Sequence, residues 1–205
     1  MLRSVVVATV LSASLAACGG GDVESRPTPI PAPATAEVPD GVTPTDPGTA
    51  LEHGDSATLV WQPTADLTGL LDATVQHVQE RRASVFDGWL AEETMQEARP
   101  YFVTVTLTNV GDSDLAGQAV PLYLRDDRAR LGAPWTLGGD FTACQSGPLP
   151  SPFEGGASAE MCLVYLVPGG ARIEDMVFEP TEGYDPITWT GDVGGPPKVR
   201  SRSQR

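Results

Sequence analysis

Residues able to do chemistry are few in this chain, and their spacing joins them into no familiar constellation. The two histidines are His53, in Leu51-Glu52-His53-Gly54-Asp55, and His77, which shares strand parity with Val75. Neither HxH, HxxxH nor HExxH spacing links them, so each is read as a solvated or structural residue rather than a metal ligand. Asp112-Ser113-Asp114 and Asp126-Asp127 offer the carboxylate oxygens that calcium prefers. The EF-hand pattern fails there, with no glycine at the sixth loop position and no glutamate at the twelfth, so both read as solvated acidic turns. The 22 glycines build no GxGxxG and no phosphate loop, Ser158 lacks a GxSxG elbow, and CxxC is absent. The chain is therefore read as no enzyme, with no catalytic residue, no cofactor and no metal. A net charge of -14 with one lysine, Lys198, excludes a duplex nucleic-acid binder, which needs cations against phosphates. Among the aromatics, Trp61 and Trp189 are expected in a core. Trp89 and Trp135 fall in or near loops, where they either cover the fold or, with Tyr184, line an apolar ligand pocket.

The elements that must carry these residues are strands. In Tyr101-Phe102-Val103-Thr104-Val105-Thr106-Leu107-Thr108, valine and leucine alternate with threonine, which predicts a strand with Val103, Val105 and Leu107 facing inward. Asn109-Val110-Gly111-Asp112 then reads as a turn. Val120, Leu122 and Leu124 share the face of a next strand, closed by Asp126-Asp127. The run 161–167 is almost wholly apolar and reads as a central strand buried on both sides, stopped by Pro168-Gly169-Gly170. Further strands are predicted at 173–178 and 187–189, and upstream at 57–61 and 70–79. About eight short strands between Gly, Pro and Asp turns imply an antiparallel β-sandwich over residues 51–190. The segment 87–98 is rich in helix formers and reads either as a helical turn ended by Pro100 or as an irregular loop.

Three strings in this region resemble a known family. Pro100 to Gly111 looks like the aromatic-Val-x-Val-x-Val-x-Asn-x-Gly strand and turn of small immunoglobulin-like extracytoplasmic domains, often called telokin-like, of actinobacterial lipoproteins and secreted antigens. Val120-Pro121-Leu122-Tyr123-Leu124 with Asp126-Asp127 is similar to their next strand, and Glu160-Met161-Cys162-Leu163-Val164-Tyr165-Leu166-Val167-Pro168 to their late strand. The resemblance covers roughly residues 51–190 and implies an all-β, immunoglobulin-like antiparallel β-sandwich. That family has no agreed enzymatic activity, so no catalytic residue is carried over.

The N-terminus states an address. Arg3 precedes an apolar run of 13 positions, residues 5–17, broken only by Thr9, Ser12 and Ser14. The run is short of the ~20 residues that span a bilayer and fits a secretory signal. It ends in Leu15-Ala16-Ala17-Cys18, which resembles a bacterial lipobox. That resemblance implies a diacylglycerol on the Cys18 thiol, cleavage before it, and Cys18 as the lipidated N-terminus. Residues 1–17 would be the signal peptide, with a soluble secreted protein or a retained membrane stub as the alternatives. Residues 18–50 alternate prolines with alanine, threonine and acids and are read as a disordered linker. Its 29 residues from 22 to 50 reach roughly 90 Å if extended at ~3.1 Å per residue, a tether more than a recognition site. Residues 191–205 carry Lys198, Arg200, Arg202 and Arg205 against Asp192 and are read as a flexible basic tail. That tail either stays free, folds back on the acidic domain, or rests on anionic lipid or wall polymer.

If the lipid takes Cys18, two of the three cysteines remain. Cys144 and Cys162 are then free to pair outside the cytoplasm, across a loop containing Pro148, Pro150, Pro152, Gly155 and Gly156. Two separate buried thiols are the alternative. The whole is an expected lipid-anchored module on the extracytoplasmic face of the cell membrane. Its partners would be the membrane, through the N-terminal lipid, and an extracytoplasmic protein or wall component. A small-ligand or wall-polymer binding lipoprotein is the rival reading.

Overall fold

A computed structural model of the chain describes residues 38, 40–88, 97–137 and 140–196. Within them ten strands and one short 3-10 helix follow in order. They are β1 (Ala50–Glu52), β2 (Ser56–Thr64), β3 (Leu67–Glu80), the 3-10 helix (Ala83–Phe86), β4 (Arg99–Asn109), β5 (Tyr123–Asp126), β6 (Leu131–Gly132), β7 (Ser158–Val167), β8 (Ile173–Phe178), β9 (Ile187–Thr190) and β10 (Val193–Gly194). They form two sheets packed as a β-sandwich, the all-β architecture expected. Sheet one has the order β1-β9-β8-β5-β6 and sheet two the order β10-β3-β4-β7. β2 pairs the first half of β3, and β10 runs beside its last residues, Val78 and Gln79. The sheets are antiparallel except at the chain's ends, where β1 lies parallel to β9 and β10 parallel to β3.

The threonine–valine alternation of β4 works as predicted. Val103, Val105 and Leu107 are wholly buried, and Thr104, Thr106 and Thr108 lie on the other face. Opposite them across the core stand Leu124, Met176, Phe178, Ile187 and Trp189 of sheet one. Full burial of such a side chain is worth about 1.5–3 kcal/mol, which makes this layer the main source of stability. The Trp189 indole N–H donates to the Asp55 carbonyl at 3.1 Å, so the largest core residue carries no orphaned donor.

Some expectations change. The strand read from Val120 begins only at Tyr123, although Val120, Leu122 and Leu124 are all buried; Pro121 between them has no N–H for a ladder. The run at 161–167 is buried on both sides but is not central, because β7 is the outermost strand of sheet two. Its second face is covered by a loop instead of a sheet. Val164, Cys162 and Leu166 pack with Phe86, Phe102, Phe141 and Trp135 in a small second core. A disulfide between Cys144 and Cys162, with Cα atoms 5.2 Å apart, fastens that cover to β7. Trp135 N–H donates to the Val164 carbonyl at 2.7 Å and Ser146 Oγ accepts from Val164 N–H at 2.9 Å, which occupies the outer edge of β7 locally.

His77 shows why strand parity misleads. Between Val75, opposite Val105, and His77, opposite Thr104, the register slips by one residue. Gln76 is the extra residue of a β-bulge, so the inward set passes from Leu71, Ala73 and Val75 to Val78. His77 therefore points outward, away from the core that parity with Val75 implies.

Of the segment 87–98, residues 89–96 lie outside the described residues, as do Trp89 and the helical expectation placed there. Cys18, the signal peptide and most of the linker and basic tail lie outside them too.

Candidate functional site

The residues singled out for chemistry separate into structural pieces and two hollows. Asp114 Oδ1 accepts from the backbone N–H groups of Ala116 and Phe153, both at 3.0 Å, and so ties two loops together. Asp126 is buried and accepts from Arg128 N–H at 2.9 Å, Arg130 N–H at 3.0 Å and Arg130 Nε at 2.8 Å. These donors, the Arg130 side chain foremost, hold its carboxyl below the usual range. Among the described residues no three His, Cys, Asp or Glu side chains gather as a metal-holding group.

The Asn-x-Gly turn after β4 is structural. Asn109 is wholly buried, donates from Nδ2 to the carbonyls of Ser113 (2.7 Å) and Phe153 (2.8 Å), and accepts from Gly111 N–H at 3.1 Å. Gly155 passes so close that a Cβ on it would stand 2.6 Å from the Gly111 carbonyl oxygen. The motif that resembles the immunoglobulin-like domains is thus a knot joining two loops.

The first hollow brings the two histidines together, which their spacing did not reveal. A cleft of about 500 Å³ is lined by Glu52, His53, Gln76, His77, Thr190 and Asp192. His53 arrives because its N–H extends the β1–β9 pairing to the Thr190 carbonyl at 2.9 Å, and His77 because of the bulge. Burial lowers the His53 pKa; its hydrogen bond to the Asp192 backbone and the Asp192 charge oppose this, and the neighbouring His77 adds to it. His77 Nε2 lies 3.2 Å from Thr104 Oγ1.

The second hollow is apolar, with a volume of about 270 Å³. It lies between β6 and β7, the outermost strands of the two sheets, and Leu124, Leu131, Gly132, Leu166, Val167 and Pro168 form its walls. Asp126 and Arg130 line it at the β5–β6 turn, where Arg130 Nη2 donates to the Pro168 carbonyl at 3.2 Å. Tyr165 lines it too, but its hydroxyl donates to the Leu122 carbonyl at 2.8 Å, and burial pushes its pKa well up. The slot thus presents no free nucleophile and no free acid or base; what it offers is apolar surface. None of the aromatics expected to line such a pocket does so among the described residues. Trp135 covers β7 in the second core, and Tyr184 meets Phe178 edge-on at 5.7 Å. Leu131 and Pro168 are far apart in sequence, so no local pattern announces the slot.

Charge is distributed along the sandwich. All seven arginines of residues 51–190 lie where β3, β5 and β7 end and where β4 and β8 begin. At the opposite end, just before β1, Gly48 N–H donates to the Asp185 carbonyl at 2.9 Å. The loops at that end carry Asp66, Asp112, Asp114, Glu154, Glu179, Glu182 and Asp185.

No helix among the described residues is long and apolar enough to cross a membrane. No protein-family model and no curated protein matches the sequence. Among solved structures, the chain is similar to MPT63, described as a secreted protein from Mycobacterium tuberculosis, with 12% sequence identity and a TM-score of 0.47, over 73% of this chain and 99% of that one.

Proposed function

We propose that the protein is a lipid-anchored immunoglobulin-like β-sandwich on the extracytoplasmic face of the cell membrane, acting as an interaction or structural module. The observation that carries this reading is the Cys144–Cys162 disulfide, because such bonds persist outside the reducing cytoplasm. It leaves Cys18, at the end of a lipobox-like string, as the one cysteine available to a lipid. The partner is then an extracytoplasmic protein or a wall component. Detergent phase partitioning tests the anchor: the chain is expected in the detergent phase and the Cys18→Ala variant in the aqueous phase, and a variant still found with detergent would overturn the reading.

A second reading, a small-ligand binding lipoprotein, is favoured by one observation, the preformed apolar slot between β6 and β7.

A further inference from the structure

We infer that a groove beside the end of β2 holds the chain's own proline run, residues 27–36, so that the linker docks on the domain it tethers. The docking is independent of the lipid on Cys18; only its consequence for the tether rests on that reading.

The groove is a third hollow, of about 290 Å³, and its walls are Trp61, Pro63, Pro121, Tyr123 and Pro180. No charged residue lines it, although Asp66 and Glu179 stand within three residues of its walls in sequence. Gln118 lines it too, and neither its side-chain amide nor the Tyr123 hydroxyl makes a hydrogen bond among the described residues. Aromatic and proline faces with free donors suit a polyproline II segment. Its rings pack on the faces, and its backbone carbonyls, which have no internal partners, accept from the donors. The volume equals roughly ten waters at ~30 Å³ each, space for about one turn of a single extended chain.

The chain's own route supplies the occupant. Residues 27–36 are ten uncharged positions with four alternate prolines, Pro27, Pro29, Pro31 and Pro33, in a chain of net charge -14. An uncharged run thus meets an uncharged groove. The chain that follows the run is already laid on β2. Thr45 N–H donates to the Thr58 carbonyl and Thr58 N–H to Thr45 Oγ1, both at 2.9 Å. Trp61 and Pro63 lie three and five residues further along that strand, about 10–17 Å at ~3.4 Å per residue. Pro33 precedes Thr45 by 12 residues, a reach of up to ~37 Å at ~3.1 Å per residue. Between them Asp40 and Gly41 form a turn, with Gly41 at φ 88°, where the chain changes direction. Tethering holds the run at a millimolar effective concentration, so a contact with a Kd of only ~0.1 mM is about 90% made. Docking leaves residues 19–26 free, about 25 Å at ~3.1 Å per residue, where the undocked linker reaches roughly 90 Å. The anchored domain would then have a short and a long tether.

The full chain carrying Cys18→Ala and Ala32→Cys, with a nitroxide on the new thiol, tests the docking by NMR. The backbone amide signals of Gln118 and Tyr123 are expected to broaden, and those of Arg128 and Arg172, at the other end of the sandwich, to stay sharp. Ala119→Arg places bulk and charge at an exposed position of the groove, and is expected to abolish that broadening with an unchanged urea midpoint. A synthetic peptide of residues 24–37 is expected to bind about tenfold more tightly when Pro27, Pro29, Pro31 and Pro33 of the chain are replaced by alanine, because the competing run is gone. Even broadening over the whole surface, broadening centred elsewhere, or equal or absent binding of the peptide to the two chains would overturn the assignment. So would broadening seen only between labelled and unlabelled copies, which would make the linker of a second copy the occupant. Each of these results leaves the Cys18 anchor untouched, so failure of this inference is distinct from failure of the anchored module.

Discussion

Reducing the Cys144–Cys162 bond should cost the sandwich about 3 kcal/mol while leaving its strands in place. The bond closes a loop over a sequence separation of 18, and restricting an unfolded loop of that size is worth roughly 3 kcal/mol at room temperature in the chain-entropy account. The folded side should change little. The covering segment is held independently by Trp135 N–H to the Val164 carbonyl (2.7 Å), Leu137 N–H to the Ser146 carbonyl (2.9 Å) and Val164 N–H to Ser146 Oγ (2.9 Å). Phe141 also stays clasped between Phe86 and Phe102, with ring centroids at 5.3 and 6.0 Å. Urea denaturation with and without reductant measures the difference. At a slope of ~2 kcal/mol per molar urea, the midpoint should fall by about 1.5 M. The far-UV circular dichroism without urea should not change. A midpoint shift under about 0.5 M would show that the bond does not act by restricting the unfolded chain, and loss of the β signal on reduction alone would show that the covering segment is not held without it.

Other outcomes follow from the same contacts. Val105→Ala, at a wholly buried position of β4, should cost about 2 kcal/mol in urea denaturation through lost burial and a cavity; a change near zero would mean that the inward face is misassigned. Asn109→Ala removes two donors and an acceptor, strands the Ser113 carbonyl and the Gly111 N–H while the Phe153 carbonyl keeps the Leu115 N–H, and should cost about 3 kcal/mol; a loss below about 1 kcal/mol would show that the knot is dispensable. Because burial sets the His53 pKa below 6.5 in the folded chain, the unfolded chain takes up that proton more readily, so stability is kept above pH 6.5 and lost below it. His53→Gln should flatten that fall when urea midpoints are compared on the two sides of pH 6.5, and an undiminished fall would assign it to other groups.

What the sequence made legible was set by how local the signal is. β4 and β8 carry their own pattern, alternation in one and the closing Met176-Val177-Phe178 in the other, and both form where expected. β6 and β10 are two residues each and have no pattern of their own; they exist because β5 and β3 offer an edge. The bulge at Gln76 lies in a polar stretch, where a slipped residue leaves no trace in hydrophobicity, so the outward turn of His77 and its meeting with His53 stayed hidden. β7 announced its two buried faces and not its place at a sheet edge, since an apolar run does not say whether a strand or a loop covers it. The cysteine pairing was reachable by counting. The apolar slot was not, because Leu131 and Pro168 meet only after both sheets have closed.

The central claim is that this sandwich is held to a membrane by a lipid on Cys18. The test is mass spectrometry of the N-terminal peptide of the mature protein recovered from the membranes of the cells that produce it. The expected peptide begins at Cys18 and carries a diacylglycerol on its thiol. A mature N-terminus elsewhere, or an unmodified Cys18 thiol, would contradict it.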